Sequence, residues 1–464
     1  MSTNIGLVSL GCSKNLVDSE QMLFLLDEAG YQLTADLDEA DAVLVNTCGF
    51  IDDAKSEAIE NILELCEIKK DKNSRLKAIV VTGCLSERYR EQLYAELPEI
   101  DAIVGCSAHT QIVAAVQAAL AGQKPLFFGE KDAPVAEVGR IPCMPTYSAY
   151  VRLSEGCDNR CAYCTIPSIR GPHRSRREEE VLAECQKLVD DGAKELIIIA
   201  QDTTKFGTDL CGKSLLPDLL RKICAIDGVK WVRLHYANPD GITDELIDAI
   251  AENEKILRYL DIPIQHINTR ILTAMNRHYT GEYVRELFAK LRARLPGLVL
   301  RTSLIVGFPG ETVEDFEELC TFLREAKIER AGVFAFSPQE GTPAAEMDDQ
   351  VDDEEKQRRV SLVTMLQGEI MDAYGEGLKG QTLEVLCEGY DRLSEVWFGR
   401  SYADSPDIDG KIFFKAAKGL AGEGQFCRVK ITELMDGEPV GRALKPCKPK
   451  TTAGKSVKKN DNCQ

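Results

Sequence analysis

The chain has 464 residues, 44% apolar and 28% charged, with a net charge of −19 and 17 cysteines; this is a normal globular balance, long enough for about two to four domains. No apolar run approaches the eighteen or so residues of a membrane helix, and the N-terminus MSTNIGLVSLGC lacks a secretory n-region, so a cytoplasmic protein without membrane attachment is expected. In a reducing compartment so many cysteines point to metal binding or catalysis rather than disulfides, and the acidic charge makes the chain a poor general binder of polyanions and a good partner for basic proteins.

Residues 1–121 alternate short apolar runs (IGLVSLG, AVLVNT, AIVVTG, AIVG) with amphipathic stretches such as SEQMLFLLDEAG and AKSEAIENILELC. The runs read as buried parallel strands, which predicts a doubly wound α/β domain. Residues 122–142 read as a Gly- and Pro-containing linker. A second βα series occupies 143–378, with strand candidates SAYVRLSEGC, ELIIIAQ, WVRLHYA, YLDIPIQ, LVLRTSLIVG and AGVFAF. Six such units predict a partial (β/α)6 barrel, whose chemistry sits at the carboxyl ends of its strands. Residues 352–378 predict a charged amphipathic helix leading out of it. Over 379–445 the pattern becomes short strands (TLEVLCEG, VWFGRS, KIFFKA, QFCRVKIT), a small antiparallel β-barrel. The tail 446–464 is Lys-rich and polar and is expected to be disordered.

Two cysteine constellations carry the chemistry. In SEGCDNRCAYC, Cys157, Cys161 and Cys164 stand at CxxxCxxC spacing just after the first strand of the second series. Three thiolates from one short loop hold three irons of a 4Fe–4S cluster and leave the fourth open to chelate S-adenosylmethionine and feed it an electron. The rivals are a zinc site, which wants four closed ligands, and three plain core cysteines. The second set is spread along the chain: Cys12, Cys48 and Cys84 each end a predicted parallel strand. Such strand ends meet at one crevice of an open α/β sheet, which predicts a second three-thiolate cluster; three separately buried thiols are the alternative. Cys66, Cys185, Cys224 and Cys320 lie in helical patterns and read as core fillers, and Cys463 falls in the tail. Arg170, His173 and Arg174 follow the cluster loop and line either a substrate channel or a solvated face. His235 and His266 end barrel strands and face either the site or the core.

With both constellations in place, the chain resembles the radical S-adenosylmethionine methylthiotransferases over nearly its whole length, through SLGCSKNLVDSE, VNTCGFIDDAK, VTGCLSERY, SEGCDNRCAYCTIPSIRG and LIVGFPGET, followed by a TRAM-like barrel. The resemblance implies two 4Fe–4S clusters, with Cys157, Cys161 and Cys164 on the radical cluster and Cys12, Cys48 and Cys84 on an auxiliary one that handles sulfur. It also implies S-adenosylmethionine as methyl donor and radical source, and an electron donor such as flavodoxin or ferredoxin. For the cofactor's organic part, Tyr163 is expected beside the adenine and Gln201 and Asp202 beside the methionyl amine, although the GGE-like motif common in similar enzymes is absent. Gly307, Pro309 and Gly310 in VGFPGE form a tight turn that suits close approach of an adenosyl group or serves simply as a turn.

Two branches of that family share the cluster motifs: one modifies adenosine in tRNA, the other the β-carbon of an aspartate in the decoding-centre protein of the small ribosomal subunit, number twelve in the standard list. TIPSIRGPHRSR, AQDTTKFG, LHYANPDGIT and LDIPIQHI resemble the second branch. Charge agrees: residues 379–445 carry ten Lys or Arg against eleven Asp or Glu, a poor phosphate-binding surface, so a basic ribosomal protein is the expected partner and tight tRNA binding is not. The alternatives are the tRNA enzyme with the same chemistry and a non-catalytic iron–sulfur carrier; carriers usually close their clusters with four cysteines.

Overall fold

The computed structural model describes residues 3–445; the tail expected to be disordered, with Cys463, lies outside them. The chain divides after Asp372 into two compact units. Among the described residues no helix is long and apolar enough to cross a membrane.

The first unit holds two parallel sheets. The N-terminal sheet consists of β1 (Asn4–Ser9), β2 (Gln32–Leu33), β3 (Ala42–Thr47), β4 (Ala78–Gly83), β5 (Ala102–Gly105) and β6 (Leu126–Phe127), in the order β2-β1-β3-β4-β5-β6. All residues of β3, β4 and β5 are buried because helices cover both faces. Val43, Val45, Ile79 and Val81 pack with Ile62 and Leu65 of the helix Asp52–Lys70. The alternating residues Leu44, Val80 and Val104 pack on Met22, Leu26, Ile112 and Val116 from the helices Ser13–Glu28 and Ile112–Leu120. The doubly wound expectation holds here. The linker reading of 122–142 needs correction. Strand β6 lies inside it, paired to β5, and Arg140 is buried between Glu20 and Glu184. A two-residue strand has no periodicity to read, and a strap pinned by one Arg looks like linker in composition.

The central sheet is built from β7 (Ser148–Arg152), β10 (Glu195–Ile199), β11 (Trp231–Leu234), β12 (Ile256–Asp261), β13 (Val299–Val306) and β14 (Arg330–Ala335), all parallel and in the order β14-β13-β12-β11-β10-β7. β7 and β14 are its two edges, so the barrel is open, as six βα units predict. A small antiparallel clip, β8 (Ser154–Glu155) with β9 (Arg174–Ser175), closes the loop that carries Cys157, Cys161 and Cys164. The expected amphipathic stretch is the helix Asp353–Leu378.

The second unit contains a closed barrel of β15 (Thr382–Asp391), β16 (Val396–Arg400), β17 (Ile412–Lys415), β18 (Phe426–Met435) and β19 (Glu438–Ala443), ordered β15-β16-β17-β19-β18. Val385, Ile412, Phe414, Val429 and Ile431 fill it. Two details correct the four-stranded, antiparallel reading: β19, whose EPVGRA sequence with Pro and Gly hides its strand character, and the parallel pairing of β17 with β19.

Candidate functional site

Cys12, Cys48 and Cys84 lie beyond the carboxyl ends of β1, β3 and β4. Gly11, at φ +89°, lets the first loop close on the second: a Cβ there would sit 2.8 Å from Cys48 Cβ and 3.5 Å from its sulfur. Asn15 fixes the loops, donating from Nδ2 to Thr47 O at 2.9 Å and Leu10 O at 3.2 Å, while its Oδ1 accepts from the Cys84 thiol at 3.5 Å and from Arg170 Nη2 at 2.6 Å. Burial pushes the Cys48 thiol up to about 11, and the fields of Cys84 and Cys12 add to that rise. Cys84 goes the other way: a hydrogen bond from the Cys106 thiol pulls it down against burial, helped by the Arg170 guanidinium. Cys12 and Cys84 thus both act on Cys48 beyond the strand ends.

Cys106 is a residue the sequence argument missed. It follows β5 as the other three follow their strands, is buried, and packs with Cys84 and Ile169. The signal was present in AIVGC, a strand ending in Cys.

The second cysteine set sits in the clipped loop. Gly156 has φ +71°, and a Cβ there would lie 2.0 Å from Pro172 O, so only glycine permits the turn. The Cys157 N–H donates to Gly171 O and the Cys164 N–H to Cys161 O, at 3.1 and 3.0 Å. Two sulfurs already accept hydrogen bonds: Cys164 Sγ from Ile166 N at 3.4 Å and Cys161 Sγ from Arg277 Nη1 at 3.2 Å. Arg277, a second residue missing from the sequence reading, is held by Asn238 Oδ1 at 2.7 Å and Pro263 O at 3.0 Å. Burial raises the Cys157 thiol to about 11 and the Cys164 thiol to about 12, so these cysteines need a metal's charge to ionise at neutral pH.

Among the described residues no three ligand-type side chains converge as around a single ion. A four-iron cluster spreads its thiolates over separate irons. A three-thiol loop with N–H donors aimed at its sulfurs fits that group better than a mononuclear zinc site.

The remaining expected residues fall into two classes. Gln201, beyond β10, donates from Nε2 to Glu155 Oε1 at 3.1 Å, and its Oε1 is buried with no partner among the described residues; an orphaned acceptor of this kind fits a ligand's ammonium. Asp202 is engaged, accepting from Asn159 Nδ2 at 2.9 Å and capping Thr204. The Tyr163 ring packs on the apolar cluster of Ile271, Met275, Phe308 and Phe336. In the VGFPGE turn the space at Gly307 is taken by the Lys356 stem, 2.3 Å from an added Cβ, and Gly310 O accepts from Arg270 at 2.9 Å; Pro309 lies between them.

For Arg170 and His173 the solvated-face alternative is corrected, whereas Arg174 is half-buried. Arg170 and His173 are buried. His173 Nε2 lies 3.2 Å from Ser175 Oγ and 3.1 Å from Lys205 O, and Arg174 donates to Arg170 O and Pro172 O. His235 and His266 take the core outcome: burial pulls both down to about 3, so they are neutral.

Between the two cysteine sets lies a polar contact that periodicity did not reveal. The helix Ser13–Glu28 buries Lys14, Asn15, Asp18 and Gln21. Lys14 Nζ sits 3.5 Å over the Tyr236 ring, and Tyr236 holds φ +57° at the end of β11, a strained conformation of the kind found at functional sites.

The comparisons agree with this layout. Residues 4–105 match the family described as uncharacterized protein family UPF0004, residues 151–323 the radical SAM superfamily, and residues 380–443 the TRAM domain. The chain is 51% identical over 433 residues, 93% of its length and 97% of the relative's, to a protein of Pelotomaculum thermopropionicum named ribosomal protein uS12 methylthiotransferase RimO. It is 44% identical over 439 residues, 94% of its length and 99% of the relative's, to a protein of the same name from Thermoanaerobacter sp.. Among solved structures, the radical S-adenosylmethionine methyltransferase TsrM of Kitasatospora setae, with cobalamin and a [4Fe-4S] cluster bound, superposes with a TM-score of 0.55 at 16% identity, covering 74% of this chain and 77% of its own. That likeness is one of fold.

Proposed function

The chain belongs to the ribosomal protein uS12 methylthiotransferase family, and from that membership we propose how its own residues divide the work of inserting a methylthio group at the β-carbon of an aspartate in that ribosomal protein. The chain is a radical S-adenosylmethionine enzyme. Cys157, Cys161 and Cys164 would hold the radical 4Fe–4S cluster, and Cys12, Cys48 and Cys84 a second, auxiliary cluster at which sulfur is handled. When bound, the radical cluster supplies the electron that cleaves S-adenosylmethionine, and with it the radical chemistry an unactivated C–H bond requires. Arg277 and the Ile166 N–H steady the sulfurs of Cys161 and Cys164. The Gln201 amide oxygen would accept from the methionyl ammonium of S-adenosylmethionine. Glu155 holds that amide by its nitrogen, so the oxygen is turned toward the ligand. Cys84, whose thiol is drawn below its ordinary range while that of Cys48 is raised, would help to hold the second cluster.

The observation that carries this reading is the 51% identity over nearly the full length of both chains. The tRNA branch is further disfavoured by the near-neutral barrel sequence, since phosphate binding draws on clustered Lys and Arg. The protein would work in the cytoplasm with a flavodoxin- or ferredoxin-type donor. The test is anaerobic reconstitution followed by incubation with reductant, S-adenosylmethionine, a sulfur source and either uS12 or tRNA. About eight irons per chain and one methylthio mass gain on the uS12 aspartate are expected. Changing Cys157, Cys161 and Cys164 to Ala should leave about four irons and abolish cleavage. Changing Cys12, Cys48 and Cys84 should spare cleavage and abolish insertion. A methylthio gain on tRNA and none on the protein would overturn the assignment.

A further inference from the structure

One buried side chain reaches from the first cysteine set to the flank of the second. Arg170 ends the short helix Ile166–Arg170 that follows Cys164, and its guanidinium is almost wholly enclosed, at 2% exposure. From Nη2 it donates to Asn15 Oδ1 at 2.6 Å and Asp18 Oδ2 at 2.9 Å; from Nη1 it donates to Glu155 Oε2 at 2.7 Å. On one side, Asn15 Oδ1 takes the Cys84 thiol at 3.5 Å, so Arg170 and Cys84 share one acceptor. On the other, Glu155 Oε1 takes the Gln201 amide at 3.1 Å, and Glu155 stands two residues before Cys157. The residue after Arg170, Gly171, accepts the Cys157 N–H at 3.1 Å. A continuous hydrogen-bonded chain therefore runs Cys84, Asn15 and Arg170, Glu155, Gln201.

Arg152 shows what a purely structural partner looks like in the same place. It pairs with Asp18 and Glu155 and donates to Gln21 Oε1 at 3.2 Å, joining the same helix to β7 with no bond to Asn15. Arg170 is the member that also holds Asn15, the residue that accepts the Cys84 thiol. Only a planar fork with several fixed donors serves acceptors on opposite sides at once; a lysine ammonium is a point charge with three donors.

We infer that Arg170 is a positioning residue that registers the two cysteine sites on each other, holding the Cys84 ligand and the Gln201 amide in a fixed relation. The inference rests on the functional reading above and deepens it. A buried charge one residue from a ligating sulfur also tunes the cluster that sulfur serves, so the effect is visible without turnover.

The experiment compares Arg170→Gln, Arg170→Lys and Arg152→Lys in the full-length protein, each reconstituted anaerobically. The first readout is methylthiolated uS12 formed per 5′-deoxyadenosine released. The second is the auxiliary-cluster reduction potential, followed by electron paramagnetic resonance with Cys157, Cys161 and Cys164 changed to Ala. Arg170→Gln should cut the product ratio about tenfold, a typical coupling between sites, and lower the auxiliary potential. Arg170→Lys should restore part of the potential, because the charge returns, and little of the product ratio, because the fork does not. Arg152→Lys should leave the potential where it was. Unchanged potential and product ratio in Arg170→Gln, in protein that holds both clusters, would overturn the inference alone. A wild-type protein that holds one cluster would instead overturn the functional reading.

Discussion

Replacing Gly156 by Ala isolates the demand that the cysteine loop makes on the backbone. Two glycines have nearly the same left-handed φ, +71° at Gly156 and +75° at Gly122, but a Cβ at Gly122 meets nothing within 4 Å. Gly122→Ala should cost only the left-handed penalty, about 1 to 2 kcal/mol. At Gly156 the same penalty applies, and the new carbon would stand 2.0 Å from Pro172 O and 2.5 Å from Gly171 O. Both are backbone atoms of the strand-return segment, so relief means opening the β8–β9 clip. Opening sacrifices the Cys157 N–H bond to Gly171 O, about 1 kcal/mol, and adds overpacking strain of about 1 to 3 kcal/mol. The total, about 3 to 6 kcal/mol, falls on the loop that carries all three thiols of the radical site. Anaerobic reconstitution with iron counting and 5′-deoxyadenosine release reads it out. Gly122→Ala should keep about eight irons and full cleavage, whereas Gly156→Ala should fall toward four irons and lose cleavage. Equal iron and cleavage in the two variants would refute the reasoning that the glycine is there to let the loop close.

Burial holds His235 and His266 at about 3 against an ordinary value of 6.5, so between those pH values the unfolded chain binds protons the fold refuses. Stability should be full above pH 6.5 and fall as pH drops, by about 2 kcal/mol per histidine at pH 5; denaturant midpoints at pH 7 and pH 5 check this, and changing both to Gln should flatten the dependence. Arg233→Met removes the guanidinium from a buried ion pair with Glu195 that is 0% exposed on both sides, which should cost about 3 to 5 kcal/mol; the double change with Glu195→Gln should recover most of it in thermal unfolding. Cys106→Ala should keep about eight irons, since the Cys106 thiol already donates to Ile169 O at 3.7 Å; a fall to four would make it a ligand.

The sequence made the architecture and the cysteine sets legible because both depend on short-range patterns. Continuous apolar runs such as AVLVNT and AIVVTG can be buried on both faces only inside a covered parallel sheet, and a Cys placed after each run is carried to the crevice by that topology. What escaped depends on tertiary partners. Arg170 looks like a polar residue near a site, and only the fold shows it enclosed between Asn15, Asp18 and Glu155. Arg277 lies over a hundred residues from the sulfur it bonds. The strands β2, β6 and β19 are too short or too rich in Pro and Gly to alternate. Cys106 obeyed the rule that found Cys12, Cys48 and Cys84 and was passed over because AIVG was read only as a strand.

The polar face of the helix Ser13–Glu28 bears on why one compact unit contains both cysteine sets. An apolar face would hold the two sheets together at less cost: Asp18, Arg152, Arg170 and Glu155 are all buried, and removing such charges from water offsets much of their mutual attraction. Apolar contacts, however, tolerate small slides. The ion network does not, because each carboxylate is shared between guanidiniums: Asp18 pairs with Arg152 and Arg170, and Glu155 with the same two. Burial alone would raise the Asp18 carboxyl, yet the two arginines hold it at about 2, so the network stays charged at any pH where the enzyme works. Under the proposed division of work, with a radical made at one site and sulfur delivered from the other, a fixed distance matters more than added stability, and a shared, fully charged network supplies that fixity.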